Sequence, residues 1–327
     1  MLNIARHLLR NGTIPLNTES FYKRSSPVTI YDVSPPDTNT LIPAINAAST
    51  PWESHFLFRG ERHIYNRIAY NNRAERAVEI PLAFAFLASR RQHVPILEVG
   101  NVLRHYENGL SDALEVRHRH IVDKFERAEG IDNIDILELE VQEKYQTIIS
   151  ISTMEHIGQN CAPTGQFGAR NLKTDLEAPL KAIARIYDLL APDGKAFLTV
   201  PFGRLIDGGW YIQFSLDYLE LLTSKYGIPR DALSIGYLKQ VAFERQGSNP
   251  RQRWLEVAAD DLKNVYYDTL RGGARAIAVL ELNKLPQAFG LNLEQPPTSL
   301  PYAGSPPIKI LFFAAGLLRR GIQRPGR

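Results

Sequence analysis

Cysteine is all but absent: Cys161 is the only one in 327 residues. A lone thiol closes no disulfide within the chain and offers no cysteine spacing for structural zinc. A disulfide scaffold is therefore excluded, and a reducing compartment fits best. Excess charge is scarce as well. The formal net charge is +3, too small for a nucleic-acid footprint, so no nucleic-acid partner is expected. The surplus is local, because residues 295–327 carry Lys309, Arg319, Arg320, Arg324 and Arg327 and no acid. Long apolar runs are also missing. Residues 308–318 form an apolar stretch interrupted by Lys309, well short of the roughly 20 residues that span a bilayer. Residues 1–10 have no continuous apolar segment, and a short surface helix is preferred there to a secretory leader.

What is present reads as a globular body, with 44% hydrophobic and 22% charged residues. Three regions are expected. Residues 1–70, with a Pro-, Ser- and Thr-rich stretch over 11–55, form an N-terminal extension and cap. Residues 71–284 form the main domain. Residues 285–327 form a tail in which six prolines from Pro286 to Pro307 predict an extended rather than packed linker.

Within the main domain, strands and helices alternate. Residues 74–91 read as a helix that Pro81 should kink or restart. Ile96-Leu97-Glu98-Val99-Gly100 is a short apolar run closed by glycine, as expected of a buried parallel strand. Further strands are expected at 119–125, 131–137, 145–152 and 195–200. Apolar residues Leu176, Leu180, Ile183, Tyr187 and Leu190 recur at helical period, and residues 191–194 (APDG) read as the turn that ends that helix. Helices are expected at 214–226 and 258–269, and residues 275–283 should pair with a strand near 236–244. The class implied is α/β, a doubly wound, mainly parallel seven-stranded sheet.

Ligands of such sheets bind beyond the carboxyl ends of the strands. Glu98, Gly100 and Asn101 close the first strand, Asp123 the second, Asp135 lies in the third, and Thr153-Met154-Glu155-His156 follows the fourth. This ring of acids suits a ligand with amines and hydroxyls. A dinucleotide turn would need G-x-G-x-x-G, and Gly100-Asn101-Val102-Leu103-Arg104 has only its first glycine, which argues against a nicotinamide oxidoreductase. Glu98 could face an ammonium group. Asp123, about 20 residues after the turn, has the spacing of an acid that takes two hydrogen bonds from a ribose diol, with Glu126 as the alternative. His118 and His120 share a strand face without a marked third ligand, so no metal is expected.

Taken in order, ILEVGNVLRHY, HIVDKFE, NIDILEL, KYQTIISISTMEHIG and LLAPDGKAFLTVPFG resemble the motifs of class I S-adenosylmethionine-dependent methyltransferases. The similarity extends to a bacterial branch with E-V-G-N in its first motif. The resemblance implies S-adenosyl-L-methionine as cofactor, held by Glu98, Gly100, Asn101, Asp123, Asp135 and Met154. It implies Glu155 and His156 as the catalytic pair, since imidazole accepts a proton near neutrality. Val102 stands where the common pattern has a second glycine, and a non-catalytic nucleoside-binding or scaffold protein is the alternative this leaves open. Glu75-Arg76-Ala77-Val78-Glu79 resembles an E-R-x-x-E stretch of the same branch. Arg73, Arg76 and Trp210 are the candidate substrate residues.

The implied reaction is methyl transfer to an oxygen or nitrogen of a small-molecule or glycan acceptor, in the cytoplasm or at the inner face of the membrane. Residues 308–320 are expected either to dock as a terminal helix, on the body or in a homodimer, or to lie in a membrane surface through their apolar and basic residues.

Overall fold

The computed structural model describes residues 54–68, 71–90, 93–140, 144–163, 167–169, 174–244, 250–267 and 273–304. The expected N-terminal helix and the apolar, basic run at 308–320 lie outside the described residues. No helix among the described residues is long and apolar enough to cross a membrane.

The chain enters through a hairpin, β1 (His55–Phe58) and β2 (Glu61–Ile64), whose registers pair antiparallel. Its two turn residues, Arg59 and Gly60, have φ of 51° and 78°, the left-handed pair that matches the twist of a two-residue hairpin. Phe56, Phe58 and Tyr65 are buried, and the Tyr65 hydroxyl accepts the Trp254 N–H at 2.8 Å. These residues are therefore packed against the body.

The first helix, α1 (Arg76–Arg90), runs through Pro81 without a break. A proline frees the carbonyl four residues earlier. Here that carbonyl belongs to Ala77, and Asn66 N–H takes it at 2.9 Å. The kink or restart expected from sequence is absent because a tertiary donor replaces the missing helical one.

The remaining elements are β3 (Ile96–Val99), α2 (Glu107–Leu114), β4 (His120–Val122), β5 (Ile131–Asp132), β6 (Tyr145–Ile151), α3 (Ala178–Leu189), β7 (Leu190–Pro201), β8 (Ile206–Asp207), β9 (Ile212–Gln213), α4 (Leu216–Ser224), β10 (Leu233–Glu244), β11 (Arg251–Glu256), β12 (Ala276–Asn283) and β13 (Ala303–Gly304). The main sheet has the order β11-β10-β12-β7-β6-β3-β4-β5. Its β5, β4, β3, β6 and β7 pair in parallel, and β12 enters antiparallel between β7 and β10. This is the doubly wound, mainly parallel sheet expected, with an eighth strand, β11, added at the edge. One core packs α3 and α4 against one face, and a second packs α1, α2 and the hairpin against the other.

Three local expectations changed in the fold. Residues 191–194 do not separate helix from strand; they bulge out of β7, whose pairing with β6 steps from Tyr145↔Leu190 to Thr147↔Lys195. The helix expected at 258–269 is reduced to one 3-10 turn, Ala259–Leu262. The Val265 carbonyl beyond it accepts from Arg204 N and Gln213 Nε2, so tertiary partners take a group that a helix would have used. Finally, residues 286–304 are extended but packed. Glu177 accepts from Thr298 N, Lys225 Nζ donates to Glu177 and to Pro296 O, and Phe289 meets Tyr187 edge-on at 4.8 Å.

Candidate functional site

Strand order reverses between β3 and β6, so their carboxyl ends open the crevice where a ligand binds in this architecture. Gly100, at φ +82°, closes it from the β3 side. A Cβ there would stand 2.2 Å from Thr153 Oγ1, so only glycine lets the loop after β3 touch the loop after β6. Val102 has φ −74° and ψ −34°, an ordinary right-handed conformation that needs no glycine and accepts a β-branched residue.

Glu98 is 2% exposed. One of its oxygens accepts Leu103 N–H at 2.8 Å and the other takes Arg119 Nε at 2.8 Å. Burial pushes the carboxyl above its usual range, and Arg119 opposes that shift. Glu98 thus shapes the loop that follows it, with one acceptor site of each oxygen taken inside the protein. Its neighbour Asn101 is buried, donates from Nδ2 to Glu126 at 2.8 Å, and leaves Oδ1 without a partner among the described residues.

Asp123 follows β4. Its Oδ1 accepts from Phe125 N and Glu126 N at 2.9 and 2.8 Å, an Asx turn that fixes the carboxylate and leaves Oδ2 without a partner among the described residues. Glu126, the alternative, is bound to Asn101 and stands 3.7 Å from Arg104. Asp135 is not in a strand. It caps the 3-10 turn Ile136–Glu138 through Leu137 N, and Oδ2 takes Lys124 Nζ at 2.9 Å. The strand ends early because this side chain supplies the turn with an acceptor. His120 bonds the Tyr145 hydroxyl and Asp132, and His118 is exposed.

The loop after β6 carries the remaining candidates. Met154 is fully buried and Glu155 is 4% exposed. His156 donates from Nδ1 to the Trp210 carbonyl at 2.8 Å, since a carbonyl only accepts, and its ring stacks on Trp210 at 5.1 Å. That tautomer leaves Nε2 with a lone pair. Burial lowers the His156 pKa to about 4, and burial also holds the Glu155 carboxyl well above its usual range. The 3.7 Å between Nε2 and Glu155 Oε1 is longer than a hydrogen bond.

The Glu75–Glu79 stretch meets this loop. Glu79 is fully buried, pairs with Arg76, and accepts Ser152 Oγ at 2.6 Å. Burial opposes the charge of Arg76, and the Glu79 and Glu75 carboxylates outweigh it. Glu75 accepts Ala274 N–H at 2.8 Å. Burial and the Glu79 charge raise its pKa to about 7. Arg73 is half-buried at the entry to α1 and its carbonyl accepts Arg76 N–H. Tyr211 and Tyr267, whose rings lie 4.5 Å apart, extend the aromatic wall begun by Trp210. Sequence reading missed Tyr267, which sits in no motif and reaches the site only through the chain's return before β12. The surface groove between α4 and β10, lined by Leu219, Arg230, Ile235 and Tyr237, contains none of these residues.

No family model matches the chain, and no curated protein matches it significantly. Solved structures do. The N-methyltransferase NodS from Bradyrhizobium japonicum WM9, in complex with S-adenosyl-L-homocysteine, aligns at 13% identity over 67% of this chain and 93% of its own, with a TM-score of 0.35. A Burkholderia thailandensis 1,6-didemethyltoxoflavin-N1-methyltransferase aligns at 16% identity over 63% and 78%, with a TM-score of 0.35. An rRNA methylase from Streptococcus thermophilus aligns at 13% identity over 63% and 97%, with a TM-score of 0.31.

Proposed function

We propose that the chain is an S-adenosylmethionine-dependent methyltransferase that acts on an oxygen or nitrogen of its acceptor. The observation that carries this reading is the crevice at the β3–β6 reversal. Its loops carry groups that can only accept hydrogen bonds, Asn101 Oδ1 and Asp123 Oδ2, and a histidine, His156, whose Nδ1–H is spent on Trp210.

These residues fit the cofactor. A buried carbonyl oxygen without a donor suits an amino-acid ammonium, and a carboxylate anchored by its other oxygen suits a ribose diol. Asp135 has its carboxylate on Leu137 N and Lys124. When bound, S-adenosylmethionine supplies an electrophilic methyl group on a sulfonium. The chain's own work is then positioning and proton removal. The Glu98–Leu103 bond and the Gly100–Thr153 contact hold the loop, the Asx turn aims Asp123, and His156 Nε2 accepts the acceptor's proton. The Trp210 carbonyl on Nδ1 fixes the tautomer that makes this possible.

A saccharide or other glycoconjugate acceptor is the finer reading, supported by the wall of Trp210, Tyr211 and Tyr267. An acceptor of that kind carried on a lipid would suit a membrane contact or dimer contact through residues 308–320. Calorimetric titration tests the core of the proposal. S-adenosylhomocysteine should bind and NAD should not, and Asp123→Ala should weaken nucleoside binding by about 1–3 kcal/mol through lost charge-assisted hydrogen bonds. Unchanged affinity in that variant would remove the site assignment.

A further inference from the structure

Methyl transfer leaves several buried carboxyls at the mouth of α1 without a task. Glu75, Glu79 and Glu155 are 5%, 0% and 4% exposed, and Arg76 is the cation set among them. Glu79 uses that cation, holding Arg76 with one oxygen and Ser152 Oγ with the other. Glu75 accepts from backbone donors, Ala274 N–H at 2.8 Å among them. Glu155, from the separate loop after β6, has Oε2 buried with no partner among the described residues. His156 adds a third acceptor, because its Nδ1–H is spent on Trp210 and Nε2 retains its lone pair.

The site is thus short of donors and of positive charge. A buried acceptor without a donor is costly, and native proteins rarely leave one. Aromatic rings complete the surroundings: Trp210 meets Tyr267 edge-on at 6.1 Å, and Tyr211 packs between them at 4.8 Å from Trp210 and 4.5 Å from Tyr267. Acids that lack donors attract a cation that carries N–H groups.

We propose that Glu155 and Glu75, walled by Trp210 and Tyr267, form a subsite for a protonated primary or secondary amine of the methyl acceptor. The methyl-transfer reading supplies only the identification of this ligand as the acceptor; binding of the amine does not depend on it. An anionic group is disfavoured by the surplus of carboxyls over the single guanidinium, and a neutral hydroxyl brings one donor where three acceptors wait. The electrostatics agree, since burial raises both Glu75 and Glu155. Burial thus disfavours charge on both carboxyls, and an arriving ammonium offsets that cost.

Calorimetry on the full-length protein at pH 7 tests this, with benzylamine as the cationic probe and benzyl alcohol as its neutral counterpart, each in two buffers of different ionisation heat. Benzylamine should bind at least tenfold more tightly than the alcohol and release protons, and Glu155→Gln should weaken it about tenfold or more. Should Glu155→Gln fail to fold, Glu75→Gln just before α1 makes the same comparison. Equal affinity for the two probes, no binding of the amine, or amine binding unmoved in the variant would overturn the proposal. S-adenosylhomocysteine titrated into the same wild-type sample separates the two readings: amine binding without nucleoside binding sinks the methyl-transfer reading and leaves the amine subsite standing.

Discussion

Glu98 and Arg119 meet at 2.8 Å with side chains only 3% and 2% exposed, and the pair ties the end of β3 to the residue just before β4. Arg119 also reaches Glu107 at 2.5 Å, so one guanidinium joins β3, α2 and β4. Removing one partner of a buried pair costs about 3–5 kcal/mol when the other charge is stranded. Glu107 still pairs with Arg119, so Glu98→Ala should lower unfolding stability by less than that, about 1–3 kcal/mol for the lost acceptor of Leu103 N–H and Arg119. Glu98→Gln should lower it by less again, because the amide oxygen still accepts Leu103 N–H. Urea unfolding checks this, and a Glu98→Ala protein as stable as the wild type would show the pair to be dispensable.

Gly100 is the second structural commitment. Gly100→Ala forces a Cβ to within 2.2 Å of Thr153 Oγ1 at φ +82°, combining a clash with a left-handed residue that itself costs about 1–3 kcal/mol. Thr153→Ala in the same chain should relieve the clash but not the backbone strain, so the double variant should recover part of the lost stability. Full recovery of the melting temperature would show that the φ angle imposes no strain.

His156 is predicted to act on the acceptor. His156→Ala should lower turnover roughly 100- to 10,000-fold with little change in S-adenosylhomocysteine affinity. Its pKa near 4 keeps the imidazole neutral above about pH 5.5, so the rate should show no inflection near the usual histidine value of 6.5. An acid limb centred there that disappears in His156→Ala would contradict the neutral, buried imidazole.

Opposite pH slopes are expected from His156 and Glu75. A histidine lowered from 6.5 to about 4 leaves the unfolded chain binding more protons between those values, so its contribution to stability is complete above 6.5 and is lost as pH falls toward 4. For Glu75, raised from 4.5 to about 7, the folded chain holds the extra proton, and stability falls as pH rises from 4.5 through 7. Glu75→Gln should abolish that second loss. Denaturant midpoints measured from pH 4 to 8 would read it, and parallel curves for variant and wild type would mean that Glu75 holds no proton in the fold.

The order of strands and helices was legible in the sequence because each central strand is a short apolar run closed by a glycine, an acid or a polar loop, and because α3 repeats at 3.6 residues. The same local chemistry marked Gly100, Asp123 and the STMEH loop as strand-end residues. Tertiary structure alone decided which of these side chains remain open to a ligand. Glu98 was spent on Arg119, Asp135 on a turn and Lys124, and the Ala77 carbonyl on Asn66, each through a partner that no local period announces. Residues 258–269 have helix formers but lose backbone acceptors to the loop after β7, and the proline-rich segment packs because Glu177, far away in sequence, supplies a buried anchor. Glu75, Glu155 and Tyr267 likewise come together only when α1, the β6 loop and the approach to β12 close on one crevice. Periodicity encodes which face of an element is buried; the partner it is buried against depends on contacts between distant segments.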